Sequence, residues 1–143
     1  MKDQWRWRLL AIQSLYYGVT GIWPILHLRS FEAITGPKID DWLVHMVGLL
    51  AVAIGVVLGA ATVRNRVHSL EVVLLAATSA VAFAAIDLRY GLTGRISPVY
   101  LADAGVQICL MAGLLFTRRS SEDVPKYQAT EEPRSSPDGP GAA

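Results

Sequence analysis

Two aspartates stand inside otherwise apolar stretches of this sequence, and they are its strongest candidates for chemistry. Asp87 lies near the end of one apolar run, and Asp103 lies about one helical turn inside the next. Ionisable groups at such depth are costly in lipid and usually face a bundle interior or a cavity. The other polar residues of the chain are therefore possible partners of these two carboxyl groups.

Four long apolar runs surround the aspartates and dominate the composition. The chain has 143 residues, of which 52% are hydrophobic and 17% charged, and its mean hydropathy is +0.37. Each run approaches the roughly 20 residues that a helix needs to cross a bilayer core of about 30 Å, and none shows the charged face of a soluble helix. We predict an all-α integral membrane four-helix bundle within residues 1–119, with helices at about 8–28, 41–63, 70–90 and 98–117.

The composition changes after the fourth run. From Ser120 the chain is rich in Ser, Glu, Pro, Gly and Ala, and such a segment buries too little apolar surface to order itself. Residues 120–143 are therefore predicted to form a disordered cytoplasmic tail.

Basic residues flanking the runs predict how the bundle is oriented. Seven lie on one side and four on the other; the larger set is Lys2, Arg6, Arg8, Arg64, Arg66, Arg118 and Arg119, and the smaller is Arg29, Lys38, Arg89 and Arg95. The richer side is cytoplasmic by the positive-inside rule, which places both termini in the cytoplasm and predicts a multi-pass protein with the N-in/C-in arrangement.

On this topology, polar side chains from all four helices gather near the outer face. Helix one carries Gln13, Tyr17, Thr20, Pro24 and His27 at offsets of three and four, which places them on one face. We predict an outer-side pocket with a polar head, and its expected ligand-binding residues are Tyr17, His27, His45, Asp87, Tyr100, Asp103 and Gln107.

Local signals give further expectations. Gly91 is expected to end helix three in a left-handed conformation, and Ser97-Pro98 is expected to start helix four. Because a helix C-terminus disfavours an anion, Asp87 is expected either to have a cation nearby, with Arg29, Arg89 and Arg95 as candidates, or to be protonated. Small residues such as Gly55 and Gly59 allow close helix approach within the bundle or in a homodimer.

Several functions fit this pattern. The polar groups could simply tie the helices together, with hydrogen bonds of about 0.5–1.5 kcal/mol each. They could bind a lipophilic molecule such as a quinone, lipid or sterol-like compound in a non-enzymatic binding or accessory protein. They could also form an enzyme that uses aspartate and histidine as acid and base, a metal or haem site at His27 and His45, or part of a larger membrane complex.

Other classes are disfavoured, and some assignments stay open. No basic cluster with interleaved aromatic residues points to nucleic acid. Cys109 is the only cysteine, so an intrachain disulfide or a Cys-x-x-Cys redox pair is impossible. The spacing of possible metal ligands in the sequence does not predict a metal site. The sequence identifies neither a catalytic residue nor a cofactor.

The segment from Phe31 to Val44, Phe-Glu-Ala-Ile-Thr-Gly-Pro-Lys-Ile-Asp-Asp-Trp-Leu-Val, resembles a segment of small bacterial four-helix membrane proteins. The layout, with Gly21-Ile22-Trp23-Pro24 on helix one and an acid early in helix four, is similar to the DoxX-like group. The resemblance implies a compact four-helix bundle in a bacterial inner membrane. Some DoxX-like proteins are associated with quinone-linked oxidoreductases, and the resemblance carries no catalytic residue to this chain.

Overall fold

The computed structural model describes residues 2–122, which form five helices and no strand. The helices are α1 (Lys2–Leu26), α2 (Leu28–Thr35), α3 (Asp41–Val63), α4 (Leu70–Leu92) and α5 (Val99–Glu122). Four of them, all but the short α2, are long and apolar enough to cross a membrane. The predicted all-α membrane four-helix bundle is therefore confirmed. Helix α5 runs past the predicted boundary at 119, and residues 123–143 of the predicted tail lie outside the described residues.

Large apolar side chains cover the outside of the bundle. Leu15, Val56 and Phe116 are 68%, 64% and 77% exposed. In water such a surface would be a large aggregation-prone patch, whereas in a bilayer it faces hydrocarbon. Both the apolar exterior and the length of the four helices fit a bundle that spans a bilayer.

Small residues bring α1 and α3 into close contact. A Cβ atom added to Gly21 would lie 2.5 Å from the carbonyl oxygen of Gly48, and one added to Gly48 would lie 2.5 Å from that of Gly21. Gly55 likewise approaches the backbone of Ser14 and Gly18. These glycines act within the bundle, where lipid supplies no hydrophobic driving force and close packing supplies the attraction.

Helix α4 packs mainly against α5, as α1 packs mainly against α3. The bundle thus consists of two helix pairs, with buried alanines such as Ala76, Ala80 and Ala104 in the second pair. The two pairs contact each other less extensively than do the helices within each pair. A cavity lined by both pairs is described below.

Several helix ends differ from the predictions. Helix α1 ends at Leu26, and His27 then caps α2 by accepting a hydrogen bond at Nδ1 from the Ser30 N–H at 3.2 Å. Helix α4 continues through Gly91, so the predicted left-handed end there was wrong. Gly94 takes that conformation instead, with φ +69°, because Gly91 lies inside the helix against Leu101.

The end of the bundle near the chain's N-terminus is closed by Arg6, which is buried. Its guanidinium reaches His68 Nδ1 at 3.0 Å, in the α3–α4 loop, and donates to Thr117 Oγ1 at 3.5 Å. The opposite end, which holds α2 and the α4–α5 loop, is called the loop end below. The aspartates lie toward the loop end.

Candidate functional site

A chain of buried polar side chains crosses the centre of the bundle. Gln13 Nε2 donates to the Ala76 carbonyl at 2.8 Å and to the Tyr17 hydroxyl at 3.2 Å. Tyr17 in turn donates to Gln107 Oε1 at 2.8 Å. Gln13, Tyr17 and Gln107 are all at most 2% exposed. The chain joins α1, α4 and α5, so it fixes the helices that carry the two aspartates.

The two aspartates face each other next to this chain. The carboxyl groups of Asp87 and Asp103 interact directly, and the Tyr16 hydroxyl donates to Asp103 Oδ1. Asp87 is 6% exposed, and its Oδ2 has no hydrogen-bond partner. A buried polar atom without a partner is uncommon in native proteins and calls for a specific explanation.

The expected arginine partners of Asp87 do not approach it. Arg29, Arg89 and Arg95 are all exposed, and the charged group that interacts with Asp87 is the second acid, Asp103. An ion pair with one of these three arginines, which was one of the two outcomes expected for Asp87, is therefore not formed. An arginine has a long apolar stem and reaches water easily from a helix end, so the helix dipole did not determine where these side chains lie.

A cavity of about 290 Å³ lies beside the Tyr16–Asp103 pair. Leu43, Val44 and Val47 form its wall on α3, and Phe83 of α4 and Gln107 of α5 lie across the gap between the helix pairs. Leu43 and Val47 are 42% and 44% exposed. The cavity therefore reaches the apolar surface of the bundle. The remaining lining residues are Tyr16, Tyr17, Thr20, Gly21, Pro24, Phe31, Gly48, Ala51, Tyr100 and Asp103.

A second hollow of about 250 Å³ also contacts this pair, and it is lined further by Ile34 and Thr35 of α2. It shares Tyr16, Thr20, Phe31, Tyr100 and Asp103 with the first cavity. The tyrosine–aspartate pair thus lines both hollows. A molecule in either hollow would meet the same polar groups.

Lys38 stands at the loop end beside Tyr100. Its Nζ lies 5.1 Å from the centroid of the Tyr100 ring and donates to the Thr35 carbonyl at 2.9 Å. Burial lowers the pKa of the Lys38 ammonium group, and the negative charge of Glu32 opposes that shift. Lys38 lines neither of the two hollows beside Tyr16.

The structure brings together only part of the predicted pocket. Tyr17, Tyr100, Asp103 and Gln107 line the first cavity. Asp87 contacts Asp103 but lines neither hollow.

The two histidines do not meet the acids in the expected way. His27 is exposed because α1 ends before it, and its ring caps α2. His45 is half-buried on α3 and lines neither hollow beside Tyr16. His27, His45 and Asp87 thus do not line the two hollows beside Tyr16, and their role in binding a ligand stays a prediction.

Tyr16 was not predicted as the partner of Asp103, and Phe31 and Phe83 were not predicted to line the cavity. Thr20 follows Tyr16 by four positions, so helical spacing could have placed the two on one face. Nothing in the sequence indicates that Phe31 of the short α2 folds back over the cavity.

Metal-ligating side chains do not cluster in residues 2–122. No three of the histidine, cysteine, aspartate and glutamate side chains described there come close enough to hold an ion together. Cys109 is a free, exposed thiol on α5.

Comparison with known proteins gives no match to this chain among protein-family models, curated proteins or solved structures.

Proposed function

We propose that this protein binds a lipophilic small molecule, such as a quinone, a lipid or a sterol-like compound, in the cavity between its two helix pairs. It would act as a non-enzymatic binding or accessory protein in a bacterial inner membrane. The observation that carries the proposal is the cavity itself, which has an apolar wall, a polar edge and an opening on the apolar surface of the bundle. Small-molecule sites combine apolar walls and a few polar groups in this way.

The polar edge suits the head group of such a molecule. The Tyr16, Tyr100 and Asp103 side chains meet there, and their hydroxyl and carboxyl groups can donate or accept hydrogen bonds. The α3 wall offers only apolar contacts. A ligand with one polar end and one apolar end would therefore lie in a single orientation.

The size of the cavity limits what it can enclose. Its volume of about 290 Å³ is close to the lower end of the range for small-molecule sites, about 300–1,000 Å³. It can hold a head group and the first part of a tail. The remaining tail would leave past the half-exposed Leu43 and Val47 of α3, where the cavity reaches the apolar surface of the bundle.

A purely structural role explains less of the site. Hydrogen bonds that tie helices together account for the Tyr17–Gln107 pair and for the Gln13 amide nitrogen, although Gln13 Oε1 has no partner. They do not account for the unpartnered Asp87 oxygen or for a hollow next to an acid. Acid–base chemistry by aspartate and histidine has no support in the described geometry, because neither His27 nor His45 lines the cavity.

Mass spectrometry of the protein after gentle extraction tests the proposal. We expect wild-type protein to carry a lipophilic molecule of defined mass. Val47→Phe places a ring in the cavity mouth and should remove that molecule. Val56→Phe is the matched control, because Val56 lies on the same helix, is 64% exposed and lines no described cavity.

Two outcomes would overturn the proposal. One is a wild-type protein that carries no molecule beyond the bulk lipid found on both variants. The other is a bound molecule that Val47→Phe and Val56→Phe retain equally.

A further inference from the structure

We propose that the ligand of this cavity carries a positive charge, as an ammonium-type head on a lipophilic body. This inference rests on the proposed function and narrows it, because it assigns the charge of the ligand. It is carried by three features of the site, namely the paired acids, the absence of a neutralising side chain in the hollows, and the aromatic lining.

The paired acids need a neutralising partner. Two neighbouring carboxylates repel each other when both are charged, and the repulsion is strong where little water is present. Asp87 is buried close to Asp103, and one of its oxygens has no hydrogen-bond partner. A shared proton leaves such a pair with one negative charge, and a cationic ligand can reach that charge at Asp103 from the cavity that it lines.

Among residues 4–117, whose side chains the structure describes, none supplies such a cation within the hollows. Helix α1 contributes the phenols of Tyr16 and Tyr17, α3 contributes apolar side chains, and α5 contributes Asp103 and Tyr100. Lys38 is a basic group beside these residues, but it faces the Tyr100 ring and lines neither hollow beside Tyr16. A cationic ligand would therefore bring the charge that the described side chains lack.

Aromatic side chains form much of the remaining lining. They are Tyr16, Tyr17, Phe31, Phe83 and Tyr100, and the rings of Tyr17 and Phe83 meet edge to face at 5.3 Å between centroids. The faces of aromatic rings attract cations, and quaternary ammonium groups are commonly bound between such rings. The contact of Lys38 with the Tyr100 ring shows that a ring of this site already accepts an ammonium group.

A matched pair of probes separates charge from shape. Benzyltrimethylammonium and its neutral carbon isostere, neopentylbenzene, have nearly the same size, so binding of each is measured by saturation-transfer NMR. The protein is held in lipid nanodiscs of zwitterionic lipid, and empty nanodiscs provide the partitioning background. We expect the cation to bind at least about tenfold more tightly than the isostere, a difference that corresponds to about 1.4 kcal/mol.

A further expectation concerns Asp103. Cation binding should fall about tenfold or more in Asp103→Asn. Asp41→Asn is the control, because Asp41 is an exposed acid in the first turn of α3, and a thermal melt of each variant shows whether it is folded.

The outcomes distinguish the two proposals. If both probes bind equally and Val47→Phe removes both, the cavity binds ligands but the assignment of charge is wrong. If the cation binds equally to wild type and to a folded Asp103→Asn variant, or if it does not bind to wild type, the assignment is also wrong. If the co-purified molecule of the mass-spectrometric test is displaced by Val47→Phe and has no cationic group, the proposed function stands without this inference.

Discussion

At the scale of single residues, Asp87 is the most informative side chain. A neutral residue at this position would cost less free energy in the folded state, since Asp87 has an acid as its neighbour and an oxygen without a partner. Proteins keep such costly groups where function needs them. A residue kept for stability alone would have its hydrogen bonds satisfied, as Gln107 and Tyr17 have theirs.

Asp87→Asn should therefore leave the bundle as stable as wild type or more stable. The amide removes the repulsion between two acids and can donate a hydrogen bond to Asp103, for a gain of up to about 1 kcal/mol. Thermal melting in mild detergent measures this, with Asp41→Asn as the control for loss of an acid elsewhere. A clear drop in melting temperature for Asp87→Asn alone would show that the acid pair serves to hold the fold.

Residue spacing predicted the polar face of helix α1 only as far as the helix extends. Gln13, Tyr17 and Pro24 are buried as their offsets of three and four indicate. His27 fits the same spacing but lies past the helix end at Leu26, so its side chain does not lie on this polar face. Helix ends depend on local capping, and the capping of α2 by His27 could not be inferred from periodicity.

At the scale of elements, the contact between α1 and α3 positions the cavity. Gly21 and Gly48 allow the backbones to touch, and both glycines line the cavity together with Pro24 and Ala51. The sequence predicted close helix approach through small residues. It could not predict which helices pair, because small residues occur on all four long helices.

Gly48→Ala should destabilise the bundle. Its new methyl group would lie 2.5 Å from a backbone oxygen that no rotamer change can move, so α1 and α3 must separate, at a cost of about 1–3 kcal/mol. Gly105→Ala on α5 is the control, because nothing lies within 4 Å of its added Cβ and alanine favours helix over glycine. Equal melting temperatures for the two variants would contradict the described α1–α3 packing.

At the scale of the whole molecule, the four spans were predictable and the cavity was not. Hydropathy identifies a spanning helix because every turn must be apolar enough for lipid. The arrangement of helices in two pairs depends on which apolar faces fit each other, and lipid tails and apolar side chains differ too little for the sequence to distinguish the faces. The cavity arises from that pairing.

The orientation of the molecule is testable by labelling. After Cys109→Ala, single cysteines at Asn65 and Thr93 lie in loops at opposite ends of the bundle, and both positions are exposed. We expect a membrane-impermeant maleimide added to intact cells to label Thr93→Cys and to label Asn65→Cys only after lysis. The reverse pattern would overturn the positive-inside prediction and place the loop end in the cytoplasm.

The most direct test of the proposed ligand site is a crystal structure of the protein grown from a lipid mesophase. We expect elongated electron density in the cavity between the two helix pairs, with its polar end at Asp103 and Tyr16 and its tail directed toward the bilayer. Direct packing of α3 on α5 with no hollow between them, or aspartate side chains that point apart toward lipid and water, would contradict this expectation.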